Sequence, residues 1–195
     1  MSAELLPGLT LTRADQDQLL GLARRSIEHG LQYRRPLPVT PAQYPPPLQE
    51  PWGVFVTLRL ERNLRGCIGT LEPEKSLVEN VVQYAFFAAF SDSRFPELTR
   101  AEFDLVRIQI SVIGRLEPMI FHSEADLLRQ LEPGVDGLIL EAGGHRGTFL
   151  PSVWECIPDK TEFLNQLKRK AGLPPDFAIV NARLSRYRAF CFGEA

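Results

Sequence analysis

Reactive side chains are scarce in this chain: 195 residues hold three cysteines and three histidines. Any thiol or imidazole chemistry must therefore use few candidates. Cys67, Cys156 and Cys191 lie far apart, a pattern that fits neither a disulfide framework nor a close-spaced zinc motif. Reduced thiols are the expectation, with no metal and no cofactor. A zinc site would need the three cysteines and one histidine to converge from distant segments. Neither sign of charge is in excess, with 22 Lys and Arg against 24 Asp and Glu and a formal net charge of −2. That balance argues against a chain whose task is to coat nucleic acid or an anionic membrane, because phosphate neutralisation drives such binding. Long apolar runs are also lacking. The longest, Val81 to Phe90, is interrupted by Gln83 and falls well short of the roughly 20 residues that span a bilayer. The leading stretch, Met1 to Gly8, carries Glu4 and has no basic start followed by an apolar run, so no signal peptide and a cytoplasmic location are expected. Nucleophile elbows, Walker loops and dinucleotide-binding glycine loops are missing too.

What remains is ordinary globular composition, 44% hydrophobic and 24% charged. It fits one domain over residues 1–195, or two closely packed lobes. Proline is the unusual count. Seven of the 16 lie between Pro36 and Pro51, which marks a proline-rich arm over residues 34–51 in which Pro45, Pro46 and Pro47 favour an extended polyproline conformation.

Hydrophobic periodicity predicts interleaved helices and strands. A first helix starts after Thr12, which can cap it together with Asp15, and ends at Gly30. Trp52 to Leu60 alternates as a half-buried strand does, and a turn at Glu61 to Asn63 leads back into Leu64 to Leu71. Ser76 and Glu79 form a capping box ahead of a helix that is apolar around most of its circumference. A strand follows at Val106 to Leu116, and then a short helix at Glu124 to Leu131. Gly137 to Glu141 and Arg146 to Leu150 form a second hairpin, a helix runs from about Lys160 to Ala171, and a final strand covers Arg183 to Phe192. Hairpins outnumber crossover units, so the fold class is α+β with mostly antiparallel strands and helices packed on them.

The residues best placed for chemistry lie in Leu64-Arg65-Gly66-Cys67-Ile68-Gly69-Thr70. A thiol between Gly66 and Gly69 has little bulk around it, so a ligand or another backbone can come close, and Arg65 would favour the thiolate if its guanidinium reached the sulfur. In a regular strand the two residues share a face about 6.6 Å apart, so that side chain would have to fold back. The competing reading makes the glycines a bulge or a close strand crossing and Cys67 a small buried hydrophobe. His145, in a glycine-rich turn, is a general-base candidate for Cys67 if it is not simply an exposed turn residue. Arg183, Arg186, Tyr187 and Arg188 mix charge and an aromatic as an RNA-binding face does, and equally as the wet face of an edge strand does.

The Leu64 to Thr70 segment resembles the LRGCIGT signature of the AMMECR family, whose bacterial members are also called AmmeMemoRadiSam system protein A. Arg94-Phe95-Pro96, Ile110-Ser111-Val112, Phe149 to Glu155 and Lys170 to Pro174 match further elements in consistent order. The resemblance implies a two-lobed α+β domain with an inter-lobe cleft and the signature cysteine near it. It also implies work beside a Memo-like protein and a radical SAM protein, with no established reaction. By carry-over, Cys67 and Arg65 are the first site candidates, with Arg94, Trp154 and Glu155 behind them. Cys156, directly after Glu155, departs from the polar residues usual there.

Two function classes follow. One is an accessory binding protein in which Arg65, Gly66, Gly69, Arg94, Trp154 and Glu155 hold a small anionic ligand or a partner segment. The other is a thiol enzyme with Cys67 as nucleophile. A nucleic-acid-associated regulator is a weaker third, and association into a homodimer stays open.

Overall fold

The computed structural model describes residues 6–174 and 176–194; the first five residues of the leading stretch discussed above lie outside the described residues. The fold is α+β with two antiparallel sheets, and the chain divides into two compact units, residues 1–113 with 190–195 and residues 114–189. Among the described residues no helix is long and apolar enough to cross a membrane.

In the first unit, helix α1 (Arg13–Tyr33) starts from a Thr12–Asp15 capping box, as the sequence predicts. It runs past Gly30, however, and stops at Arg34, which takes the left-handed conformation at φ 58°. Gly30 serves packing: a Cβ there would stand 2.5 Å from the Phe90 ring and 2.7 Å from that of Phe86, so the missing side chain lets the helix carrying those rings approach. The proline-rich arm also departs from expectation. It forms a 3-10 turn at Pro41–Gln43 and a short helix, α2 (Pro46–Gln49), because proline is tolerated in a first helical turn, where its missing N–H would have no partner anyway. Leu48 is fully buried and pins the arm to the core.

Strands β1 (Gly53–Leu60) and β2 (Asn63–Thr70) form the expected hairpin, with Glu61 in the left-handed region at φ 54°. Helix α3 (Leu77–Phe90) begins at the Ser76–Glu79 capping box and packs on both strands and on α1. A one-turn helix, α4 (Arg100–Phe103), precedes β3 (Val106–Ile113). Val54, Val56, Leu58, Ile108, Ile110 and Val112 face the helices and bury the core of this unit.

The second unit holds β4 (Glu117–Pro118), α5 (Glu124–Gln130), β5 (Gly137–Ala142), β6 (His145–Phe149) and α6 (Lys160–Lys170). The β5–β6 turn is Gly143-Gly144, both at positive φ, which suits the twist of a two-residue hairpin. The final strand is a correction. It divides at Arg188 into β7 (Arg183–Tyr187), which pairs with β4 and β5, and β8 (Ala189–Gly193), which belongs to the first sheet. The sheet orders are β2-β1-β3-β8 and β4-β7-β5-β6. β7 is thus an inner strand, and Tyr187 is buried with its hydroxyl donating to the Phe149 carbonyl at 3.0 Å.

Candidate functional site

Cys67 lies on β2, an edge of the first sheet, directly across from Thr57 on β1. Residues 65 to 70 are held against their neighbours by absent side chains. A Cβ on Gly66 would stand 2.1 Å from the Ala88 carbonyl oxygen of α3, and one on Gly69 would stand 2.2 Å from the Val54 carbonyl oxygen. Both glycines therefore permit close backbone approach within the protein. Cys67 is half-buried, on the sheet face away from α3, and Thr57 Oγ1 donates to its Sγ at 3.2 Å.

The outward backbone groups of Cys67, which in an inner strand would meet another strand, are taken by two side chains. Its N–H donates to Asp92 Oδ2 at 2.9 Å, and its carbonyl accepts from Arg94 Nη2 at 3.3 Å. The loop after α3 builds this clamp by itself. Asp92 Oδ1 accepts the Arg94 backbone N–H at 3.2 Å in an Asx-type turn. The Arg94 guanidinium then returns to the same carboxylate through Nε at 2.9 Å and Nη2 at 2.7 Å. These bonds, that from Arg94 foremost, hold the Asp92 carboxyl well below its ordinary range, at about 2. Asp92 is buried, while the Arg94 side chain is 53% exposed and its Nη1 makes no hydrogen bond among the described residues.

The Arg65 guanidinium, which would have to fold back to serve the thiol, is engaged instead with Glu102 of α4. The β1–β2 register shifts by one residue, pairing Leu58 with Gly66 but Arg59 with Leu64, so Arg65 is left without a cross-strand partner. Its side chain is buried and binds Glu102 through Nε at 2.7 Å and Nη2 at 3.1 Å, with Nη2 also 3.3 Å from the Glu97 carbonyl. Glu102, also the capping-box acid of α4, is held down to about 2, chiefly by Arg65. Phe95 lies between the two arginines, its ring centre 6.0 Å from the Arg65 guanidinium carbon and 5.4 Å from that of Arg94.

The remaining candidates belong to the second unit. Trp154 is buried, stacks on Phe163 at 3.7 Å between ring centres and donates its indole N–H to the Asp136 carbonyl at 2.7 Å. Glu155 beside it is exposed. His145 flanks the Gly143-Gly144 turn, with Nδ1 3.0 Å from the Ala171 carbonyl oxygen. The arginines of the charged C-terminal run have acidic neighbours: Arg183 has Glu141 at 3.9 Å, Arg186 has Glu117 at 3.1 Å, and Arg188 has Glu132 at 3.7 Å. Cys191 lies on the far edge strand, β8, with its sulfur 3.2 Å from Ser111 Oγ. Three strand spacings, about 14 Å, separate the edges β2 and β8, too far for Cys67 and Cys191 to form a disulfide. Among the described residues no group of three or more His, Cys, Asp and Glu side chains is arranged to hold a metal ion.

Three residues of this site escaped the sequence reading: Asp92, Thr57 and Glu102. Asp92 had a usable signal in its Asp-x-Arg spacing at the end of a buried helix. Glu102 carried a local signal as the acid of the Thr99-x-x-Glu102 capping box, but neither it nor Thr57 revealed its partner at the site, because those partners come from other elements.

An AMMECR1 family model matches residues 20–192. A protein of Methanothermobacter thermautotrophicus is 40% identical over 186 residues, covering 94% of this chain and 96% of its own length. One of Methanocaldococcus jannaschii is 36% identical over 176 residues, covering 88% of this chain and 86% of its own. The crystal structure of an uncharacterised protein from Pyrococcus horikoshii superposes with a TM-score of 0.84 at 36% identity, covering 91% of this chain and 90% of the other.

Proposed function

The chain belongs to the AMMECR1 family, and from that premise we propose that it is an accessory binding protein whose Leu64 to Thr70 segment receives a small anionic ligand or a partner segment. The observation that carries this reading is the division of labour between two arginines. Arg65 is buried against Glu102, whereas Arg94 spends two nitrogens on Asp92 and Cys67 and keeps Nη1 for a further acceptor on an exposed side chain. Guanidinium groups held in one orientation suit carboxylate and phosphate recognition. The anion-facing role therefore falls to Arg94, while Gly66 and Gly69 let β2 pack closely on α3 and β1 behind it. A Memo-like protein and a radical SAM protein are the partners we assign, on the family resemblance, in the cytoplasm.

Titrating the purified chain with acetate, then with the Memo-like protein, tests this reading. Backbone amide resonances of Cys67 to Gly69 should move, and Arg94→Ala should weaken binding by about tenfold, as expected for one charge-assisted hydrogen bond, while Arg94→Lys retains part of it. Equal affinity for wild type and Arg94→Ala would sink it.

A thiol enzyme is the second reading, favoured by the Thr57 hydroxyl directed at the Cys67 sulfur. In that reading Cys67 is the nucleophile, and alkylation by iodoacetamide should be faster than for a free peptide thiol near pH 7 and slower in Thr57→Val. Alkylation at the peptide rate in both proteins would remove it.

A further inference from the structure

Away from Cys67, the C-terminal half of α1 lines a surface concavity of about 570 Å³ together with Leu37 and Arg100. That volume lies within the usual range for small-molecule sites, about 300–1,000 Å³. Arg25, Glu28, His29 and Gln32 recur at steps of three and four residues and so share one face of the helix. Leu31 and Leu37, each half-buried, supply an apolar part of the wall.

The charges on this wall are unequally matched. Arg100 reaches across to Glu28 at 3.1 Å, which commits the carboxylate of the wall to α4. Arg25 is exposed and makes no ion pair or side-chain hydrogen bond among the described residues. His29 stacks on Tyr33 at 4.5 Å between ring centres, and its Nε2 is enclosed without a hydrogen-bond partner. Enclosed ring nitrogens are normally satisfied, so this one marks a position where a hydrogen-bonding partner is missing, and with its proton on Nε2 the ring can donate to an acceptor there. The wall thus offers two guanidinium groups against one carboxylate, an imidazole nitrogen and the Gln32 amide, all donors or donor-capable, beside two leucines.

We propose that this concavity binds a small molecule that carries a carboxylate or phosphate on an apolar body. Arg25 takes the oxyanion, Arg100 and His29 flank it, and Leu31 and Leu37 meet the apolar part. The site is separate from that at Cys67 and needs none of its residues.

The test uses the full chain, isotope-labelled, titrated with phenyl phosphate, benzoate and inorganic phosphate. Phenyl phosphate or benzoate should shift the amide resonances of Arg25, Glu28, His29, Gln32 and Arg100. Arg25→Ala should weaken that binding by about tenfold, and Glu28→Gln, which removes the competing carboxylate, should tighten it severalfold. Arg13→Ala, which deletes an exposed arginine at the other end of the same helix, should leave it unchanged. Absence of shifts at concentrations on the order of 10 mM, or unaltered affinity in Arg25→Ala, would overturn the proposal. Inorganic phosphate binding as tightly as phenyl phosphate would overturn its apolar half.

Discussion

Arg65 and Glu102, 37 residues apart in sequence, are joined by two hydrogen bonds of 2.7 and 3.1 Å that tie the β1–β2 hairpin to the first turn of α4. The arginine that the signature places two residues before the thiol is thereby a structural tie, made possible by the register shift at its own position.

Losing either partner should destabilise the fold. Glu102→Gln removes a charge-assisted pair and leaves a buried guanidinium, and is expected to lower unfolding free energy by about 1.5–3 kcal/mol. Urea denaturation measures this, and a loss below about 0.5 kcal/mol would show that the pair contributes no more than a surface bridge does.

Acid should unfold the first unit through two carboxylates. Asp92 and Glu102 are both held down to about 2, by Arg94 and Arg65 respectively. A carboxylate whose folded value is depressed contributes stability above its unfolded value of about 4 and loses it as pH falls towards the folded one. Stability followed by circular dichroism should therefore decline between about pH 4 and pH 2. Asp92→Asn should flatten part of that slope; an unchanged slope would mean that other groups drive acid unfolding.

Two glycine substitutions should differ in severity. Gly66→Ala places a methyl 2.1 Å from the Ala88 carbonyl oxygen, a backbone atom that cannot step aside, so β2 or α3 must shift. A loss of at least about 2 kcal/mol is expected. Gly143→Ala has open space around it, and meets only the strain of its left-handed φ of 55°, about 1 kcal/mol. Thermal melts of the two variants compare them directly, and the reverse order would contradict the close strand–helix approach.

In the second unit, Trp154→Ala should lower stability by about 3–5 kcal/mol, since it empties a buried site stacked on Phe163 and strips the Asp136 carbonyl of its indole donor. Trp154→Phe should lose less, because it keeps a ring against Phe163. Denaturant unfolding of both variants reads this difference, and a mild effect of alanine would argue that the indole is not a core anchor.

Legibility in the sequence followed locality. The caps at Thr12 and Ser76 and both hairpins rest on residues within a few positions of each other, and they appear where the patterns put them. Gly30 misled because a glycine needed for contact with Phe86 and Phe90 looks the same as one needed for a helix end. The run from Arg183 to Phe192 read as one strand because alternation carries no mark of which sheet each half joins. At the candidate site, the LRGCIGT segment carried no mark that Arg65 is buried while Arg94, outside it, is exposed. A one-residue slip in pairing redirects Arg65, and only a three-dimensional register reveals such a slip.

The division of the last run at Arg188 decides which sheet depends on which stretch of chain. Residues 114–189 form a unit inserted within the sequence of the other, whose sheet takes its β8 edge from the segment after the insertion. Glu194 then binds Arg24, 170 residues earlier, at 2.7 and 2.5 Å, and accepts the Ile108 N–H. All four strands of the second sheet thus lie within residues 114–189, whereas the first sheet takes its β8 edge from beyond that insertion. A chain truncated after Ala189 would therefore keep every strand of the second sheet and leave the β3 edge of the first open to pairing with other chains.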